Sequence, residues 1–287
     1  MKSLKSLLLA ILRGIGQIML QENAVTGLFF LLGIFYGGVE MGLGALFACL
    51  VATLAARLLR FNQQALDSGL YGFSAALVGV AMTLFFKVSV SLFVIIAISA
   101  IAAMLMQHFF LQRKIPVFTL PFVLVTWLLV YVFKQVYPLE VAPTVVDVKP
   151  IVLDSSFLAR GFGQVIFQSS ALSGILFCLG VGIQSRLAAI FALLGAFLSG
   201  FLSLLWAVPH TEVALGLFSY NAVLCAIVFA GKHWVDALFA LLSVLFSVAI
   251  VLLMYRLGLS QLTFPFVAAT WLTLLAKNYI LKPTKKA

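Results

Sequence analysis

Two glutamines stand at the same place in two copies of one short motif. Gln17 lies in Arg13–Gly27, and Gln164 lies in Arg160–Gly174, which repeats that stretch 147 residues later with seven of fifteen positions identical. An amide offers two donors and an acceptor, so burying it among apolar residues is costly unless it finds partners. Capping a helix or tying two helices together is the plainer alternative. The duplication favours a binding role at both places.

A second repeated motif places a threonine five residues after a proline. The stretch that begins at Thr119 recurs from Thr263, now at an offset of 144, so Thr126 and Thr270 occupy equivalent places. A proline within an apolar run frees a carbonyl and interrupts a helix. The pattern therefore predicts a broken helix whose backbone oxygens and threonine hydroxyl face a cavity. For each threonine alone, a hydroxyl bonded to its own helix is the alternative.

A third repeat matches Phe73 with Tyr220, and one helical turn later Leu77 with Leu224, again at an offset of 147. Aromatic side chains in membrane helices usually face lipid or the protein core. These four residues therefore gain a functional meaning only from their place in a duplicated unit. Duplication of a membrane unit is typical of transporters and channels, with the solute site between the halves.

Glu212 is the strongest functional candidate among the few acids in or beside apolar segments. An acid inside a membrane is a functional candidate by default, whereas an acid at a segment end is more simply a solvated carboxylate. The partner of Glu212 by the offset is Ala65, so the acid is not duplicated, although Gln64 stands next to it. Amides, hydroxyls, carbonyls and apolar rings suit a small, neutral, hydrogen-bonding solute. The paired charges of an ion-coupled cycle are missing from this set.

Composition identifies a membrane protein, because 64% of the 287 residues are hydrophobic and only 9% are charged. The net charge of +10 comes from basic residues scattered between apolar segments, so the expected partner is the lipid bilayer and not nucleic acid. Both ends are basic, with Lys2 near the start and Lys286 near the end, which predicts two cytoplasmic termini and an even number of spans. The three cysteines and three histidines are dispersed, and we expect no metal site and no cofactor.

Six apolar segments occur in each half, and five of them are expected to be full spans. Residues 1–137 form the first membrane repeat, 138–155 an exposed linker that holds three prolines, and 156–287 the second repeat. Because five is odd, the second half enters the membrane inverted relative to the first. The prediction is an all-α polytopic membrane protein of two inverted-topology repeats, related by a pseudo-two-fold axis in the membrane plane.

These motifs resemble the urea transporter family in its compact bacterial form. The resemblance is carried by GLYGFSAALVG from Gly69, the two RGxGQ stretches and the paired Pro-Phe-Val-X-X-Thr-Trp motifs, and it extends from about Arg13 to Ile280. It implies passive, channel-like transport of urea across the inner (plasma) membrane. It also implies a homotrimer with one pore per subunit, each half supplying five spanning helices and a short re-entrant pore helix.

The resemblance also implies a role for each repeated residue. It places Gln17 and Leu20 in one urea slot and Gln164 and Phe167 in the other, Phe73 and Tyr220 as facing walls, and Thr126, Thr270, Leu77 and Leu224 at the constriction. The sequence departs from the family where Leu20 replaces a phenylalanine and Ser74 replaces an asparagine that is kept as Asn221. A slot carboxylate has no clear position in the first half.

Two alternatives stay open beside a urea channel. The first is a channel for another small neutral solute, such as ammonia, water or a short amide. The second is a multipass membrane enzyme that acts on lipids, which would need a nucleophile, acid or metal set clustered at one membrane face. The sequence shows no such cluster, so we expect no enzymatic activity.

Overall fold

The protein is helical throughout the residues that the computed structural model describes, which are 4–142, 154–206 and 208–281, apart from turns and one isolated antiparallel bridge. The described helices of the first half are α1 (Leu4–Gln17), α2 (Ala24–Gly37), α3 (Val39–Leu58), α4 (Gln63–Asp67), α5 (Phe73–Phe85), α6 (Val90–Gln112) and α7 (Leu120–Tyr131), which continues as a π-helical turn over Val132–Val136. Those of the second half are α8 (Ser156–Gln164), α9 (Ala171–Gln184), α10 (Arg186–Leu204), α11 (His210–Ala214), α12 (Tyr220–Phe229), α13 (Trp234–Arg256) and α14 (Phe264–Ile280).

Four of the described helices are long and apolar enough to cross a membrane by length and composition, namely α3, α6, α10 and α13. Helices α2, α5, α7 with its π-helical turn, α9 and α12 are apolar but shorter. The expectation of an all-helical membrane protein is therefore confirmed. The expected total of ten spans stays a prediction, as do the division into two membrane repeats and the linker between them.

Helices at equivalent places in the two halves match closely in length. Comparing them shows where along the chain the offset between the halves changes from 147 to 144 residues. α2 and α9 both have 14 residues at an offset of 147, and α6 and α13 both have 23 residues at an offset of 144. α5 and α12 begin 147 residues apart but have 13 and 10 residues, so they end 144 apart. The shift of three residues between the two offsets thus falls within α12.

Left-handed backbone conformations recur at the same two offsets. A bulky residue rarely adopts positive φ, and such residues concentrate where the surrounding structure holds them for a function. The pairs that share this conformation are Leu20 with Phe167, Gly69 with Gly216, Phe118 with Leu262, and Lys114 with Gly258. Local backbone geometry is therefore duplicated together with the motifs.

The two halves pack together through α2 and α9, which run antiparallel. The Thr26 hydroxyl donates to the Gly180 carbonyl at 2.7 Å, and the Ser173 hydroxyl donates to the Gly33 carbonyl at 2.8 Å. Thr26 and Ser173 are equivalent by the offset of 147, as are Gly33 and Gly180. Each hydroxyl finds a partner at the end of the helix opposite, so neither buries an unpaired donor.

The described ends of the predicted linker pack against the protein. The Lys87 ammonium lies 2.8 Å from the Glu140 carboxylate, next to the bridge between Phe86 and Val141. At the other end, hydrogen bonds from the Ser156 hydroxyl and backbone N–H lower the pKa of the Asp154 carboxyl below its usual value. Most of the linker, from residue 143 to residue 153, lies outside the described residues.

Candidate solute-binding cavity

One cavity of about 260 Å³ brings together four of the residues that the sequence analysis selected. Gln164 and Phe167 come from the end of α8, Glu212 from α11 and Tyr220 from the start of α12. The rest of the wall is mostly apolar and aromatic, and consists of Phe85, Leu217, Phe218, Tyr255, Leu259, Ser260, Gln261 and Leu262. An apolar pocket with a few convergent polar groups is the usual form of a small-molecule site.

The turn after α8 fixes the amide and the ring that face this cavity. Phe167 has a left-handed backbone with φ of 60°, and the side-chain nitrogen of Gln168 donates to the Ile166 carbonyl at 2.8 Å. The second glycine of the motif, Gly163, is required here because a Cβ would lie 2.3 Å from the Gln168 carbonyl oxygen. The close turn therefore explains why Gly163 precedes Gln164.

The arginine of each repeated motif braces the short helix next to the site. The Arg160 guanidinium donates to the Ala214 carbonyl at 3.1 Å, at the end of α11, and Arg13 donates to the Asp67 carbonyl at 3.0 Å, at the end of α4. Satisfying these terminal carbonyls stabilises both short helices. α11 carries Glu212, so Arg160 positions the acid indirectly.

The cavity contains hydrogen-bonding groups from Glu212 and Gln164. The Tyr255 hydroxyl donates to Glu212 Oε1 at 3.3 Å, which leaves the second carboxylate oxygen for another donor. The Gln164 side-chain nitrogen has a 3.3 Å contact with the Ser169 hydroxyl. Carboxylate and amide oxygens accept N–H groups, and the Phe167 and Tyr220 rings offer flat apolar faces.

The first half contributes to the same cavity through Phe85. The ring of Phe167 makes edge contacts with Phe85 and Phe122, each with ring centroids 6.0 Å apart. In the first half, the residue equivalent to Phe167 is Leu20. It lines a separate cavity of about 370 Å³ with Phe118 and with Val228 from the end of α12. Phe167 thus contacts first-half residues, and Leu20 shares a cavity with a second-half residue, while the two slots stay a prediction.

The first-half glutamine is placed differently from its counterpart. Gln17 is only 9% exposed, and its side-chain nitrogen donates to the Ser68 carbonyl at 3.0 Å. It therefore holds the loop that leads into α5, where Phe73 is also buried. Neither Gln17 nor Phe73 lines the cavity at Leu20.

The position of Glu212 is taken in the first half by Ala65, within a third cavity of about 430 Å³. Aromatic side chains packed around His108 line this cavity. The Tyr71 hydroxyl lies 3.1 Å from His108 Nδ1, and the Phe61 ring stacks on the imidazole with 3.5 Å between centroids. The second half presents the Glu212 carboxylate at the place where the first half has Ala65.

A hydrogen bond joins the side chains of two threonines from different halves, Thr119 and Thr263. Their hydroxyl oxygens are 2.6 Å apart, both residues are buried, and they are equivalent by the offset of 144. A hydroxyl both donates and accepts, so either threonine can be the donor in this bond. The sequence analysis missed this pair although both threonines stand first in the repeated motifs.

Thr126 and Thr270, the pair selected from the sequence, are fully buried. The Thr126 hydroxyl has no hydrogen-bond partner, and the Thr270 hydroxyl lies 3.9 Å from the Cys225 sulfur. Leu77 and Leu224 are also fully buried. The structure records no hydrogen bond between Thr126 and Thr270, and their place at a constriction stays a prediction.

The expectation of helices broken at the prolines was wrong. Pro121 lies in the first turn of α7 and Pro265 in the first turn of α14. A proline there breaks nothing, because the first N–H groups of a helix have no partner within it. The motif therefore marks a helix start, and the residue just before each helix is a buried threonine, Thr119 or Thr263.

Asn221 was noted in the sequence only as a family residue, and the structure shows what it holds. Its side-chain nitrogen donates to the Leu262 carbonyl at 3.2 Å, and its oxygen accepts from the Phe266 N–H at 3.0 Å. Asn221 is fully buried and spans the turn that begins α14. Ser74, its first-half equivalent, has a buried hydroxyl without a partner.

Asn221→Ala should lower the free energy of unfolding, because it leaves a buried N–H unpaired and removes a partner of a buried carbonyl. The expected loss is about 1–3 kcal/mol. Thermal unfolding in detergent measures it as a lower melting temperature. The matched control is Ser74→Ala, which removes an unpaired hydroxyl and should leave the melting temperature unchanged. Equal losses in both variants would show that the hydrogen bonds of Asn221 do not stabilise the start of α14.

The fold and this site together define the class of protein: an all-helical membrane protein with a mostly apolar cavity that a few polar side chains line. The urea transporter family model matches residues 8–278. Similar proteins include Urea transporter 1 of rat, 28% identical over 92% of this chain and 76% of the relative, and Urea transporter 1 of sheep, 27% identical over the same shares. Urea transporter 1 of mouse is 28% identical, again over 92% of this chain and 76% of the relative.

The chain belongs to the urea transporter family, and the resemblance recognised in its motifs is confirmed.

Proposed function

We propose that this protein conducts urea passively across the membrane, through a path between its two halves. The observation that carries the proposal is the cavity in which Gln164 and Glu212 face the rings of Phe167 and Tyr220. Urea has four N–H donors and one carbonyl acceptor in a plane. The glutamine amide can serve both kinds of group, the carboxylate accepts N–H, and the flat rings receive the face.

Reciprocal contacts support a two-fold relation between the halves. The Trp127 indole N–H donates to the Ser260 carbonyl at 3.0 Å, and the Trp271 N–H donates to the Pro116 carbonyl at 2.7 Å. Each pair repeats the other at the offset of 144. The equivalent helices α2 and α9 run antiparallel, which puts the axis across the helices and favours inverted repeats in the membrane.

The proposed path is narrowest where Thr119 meets Thr263. A urea molecule that enters from either cavity must shed water there, and the two hydroxyls replace part of that hydration. Leu77 and Leu224 remain proposed as apolar walls, together with the sequence-based pair Thr126 and Thr270. The two slots and the constriction then form one series of sites, as a channel-like path requires.

A channel for another small neutral solute is the alternative, and stopped-flow light scattering distinguishes it. Purified protein in liposomes should raise urea permeability well above that of protein-free liposomes. Glycerol and acetamide should gain much less, because neither matches both the donors and the planar shape of urea. A larger gain for glycerol or acetamide than for urea would reject urea as the substrate.

Transport is proposed to be uncoupled, since the described part of the cavity holds one carboxylate and no paired charges. Urea flux into vesicles should therefore follow the urea gradient alone. Radiolabelled urea should equilibrate to the same level whether or not a proton or sodium gradient is imposed. Accumulation above the external concentration under either gradient would contradict this prediction.

The family name supports a transporter and not an enzyme. We also propose that both termini are cytoplasmic, that the membrane is the inner membrane, and that the protein is a homotrimer. The basic ends of the chain support the topology. Light scattering coupled to size-exclusion chromatography tests the trimer, and labelling of a cysteine added after Ala287 tests the location of the C-terminus.

A further inference from the structure

An apolar groove of about 280 Å³ lies between α10 and α13 and shares no lining residue with the cavities described above. Leu194 on one wall is 61% exposed and Leu241 on the other is 45% exposed, so the groove faces outward. Every side chain that lines it is apolar, which leaves water without hydrogen-bond partners there. In a membrane such a groove is filled by hydrocarbon.

At the equivalent place in the first half, two aromatic rings are in contact. In the first half, the rings of Phe47 on α3 and Phe93 on α6 meet at 5.1 Å between centroids. The equivalent residues of the second half are Leu194 on α10, by the offset of 147, and Ala237 on α13, by the offset of 144. Without a ring at Ala237, the space between the helices stays open.

A contact between the C-terminal ends of α10 and α13 shows how these two helices are oriented relative to each other. The Arg256 guanidinium lies 5.2 Å from the Trp206 ring, so the C-terminal ends of α13 and α10 are neighbours. The two helices therefore run parallel, and their N-terminal ends share the opposite level. Trp234, which begins α13, is 78% exposed there, as expected of a ring at a membrane–water interface.

Basic side chains surround this N-terminal end. Arg186 begins α10 and Lys232 precedes α13, and both are exposed. Lys277 of α14 lies 5.4 Å from the ring of Phe239, in the first turns of α13. The acid at this end, Asp236, accepts the His233 backbone N–H at 3.0 Å. Among the described residues, Arg186, Lys232 and Lys277 thus give this end a basic character, and the Asp236 carboxylate is already engaged.

We infer that this groove binds one acyl chain of an anionic phospholipid whose headgroup lies at Arg186 and Lys232. The lined length from Phe191 to Leu198 is about 10 Å at the rise of an α-helix, enough for part of an acyl chain. Hydrocarbon gains only van der Waals contact when it moves from lipid into the groove. The preference for this lipid thus comes from its charge, which attracts basic side chains at the membrane surface.

Native mass spectrometry of the full chain, with phosphatidylglycerol or phosphatidylcholine added, tests the inference. Wild-type protein should retain phosphatidylglycerol in preference to phosphatidylcholine. Ala237→Phe supplies the ring that the first half has, so it should abolish that retention. Lys232→Gln keeps the groove open and should reduce the preference for phosphatidylglycerol about fivefold, the factor expected for one basic residue at a membrane surface.

Phe93→Ala is the matched control, because it opens the equivalent place in the first half and leaves the groove of α10 and α13 intact. It should retain at least as much phosphatidylglycerol as the wild type. Melting temperature and urea flux confirm that each variant is folded, and Ala237→Leu replaces Ala237→Phe if the larger side chain prevents folding.

Two results would overturn the inference. The first is wild-type retention of phosphatidylglycerol by folded Ala237→Phe or Ala237→Leu protein. The second is a change in oligomeric state, measured by light scattering, when Ala237 is replaced and lipid retention is unchanged, because the groove would then be an interface between copies of the chain.

Discussion

Gln164→Leu should slow urea permeation roughly tenfold to hundredfold at equal membrane abundance, because a desolvated solute loses a donor and an acceptor worth about 1–3 kcal/mol. Leucine fills a similar volume, so the cavity wall keeps its shape. Gln164 lines the cavity and its described partner, the Ser169 hydroxyl, is exposed and can bond to water instead. Stopped-flow light scattering on proteoliposomes measures the change, with water permeability as the internal reference.

Gln17→Leu is the matched comparison at the other end of the path. Gln17 donates to the Ser68 carbonyl, so its loss should lower the melting temperature, and the proposed slot assignment predicts a lower urea flux as well. Gln164→Leu should leave the melting temperature near that of the wild type. Wild-type urea flux in both variants would show that neither glutamine contacts the solute and would reject the slot assignment.

Thr119→Val and Thr263→Val should each slow urea by roughly tenfold and slow water less. Each change keeps the side-chain shape, deletes one hydroxyl of the 2.6 Å pair and leaves the other without its described partner. Because both hydroxyls act at one barrier, the double variant should lose less than the product of the two single losses. A double-mutant cycle measures this: urea and water permeabilities are determined in parallel for the wild type, the two single variants and the double variant.

Thr126→Val separates this pair from the one selected by sequence. Its hydroxyl is buried without a partner, so its removal should leave stability unchanged or raise it. If the constriction lies at Thr119 and Thr263, Thr126→Val should conduct urea like the wild type. A loss in Thr126→Val with normal flux through Thr119→Val would place the constriction at Thr126 and Thr270.

The repeated motifs made much of this site predictable from sequence. An amide or an acid in an apolar chain is costly, so Gln164 and Glu212 could be selected by chemistry alone, and the structure places both in one cavity. Their distance along the chain gave no indication that α8 and α11 would meet. That contact depends on Arg160, which binds the end of α11 and whose backbone partner leaves no signature in the sequence.

The proposed constriction at Thr119 and Thr263 was harder to predict, because a proline can either interrupt a helix or begin one. Treated as a helix breaker, Pro121 drew attention to Thr126, which follows it by five residues. Pro121 in fact lies in the first turn of α7, so the residue that precedes the helix is Thr119. The cavity at Ala65 could not be predicted either, since nothing in the sequence around Ala65 indicates that His108 and Tyr71 meet beside it.

The central claim is that urea passes through the cavity at Gln164, and blocking that cavity tests it most directly. Leu217 lines the cavity and is partly exposed, so Leu217→Cys should react with a bulky methanethiosulfonate reagent. The account predicts that the modification reduces urea flux to the level of protein-free liposomes, that reduction restores it, and that the same reagent leaves the wild type unaffected. Unchanged urea flux through protein that mass spectrometry shows to be fully modified at Leu217→Cys would contradict the account.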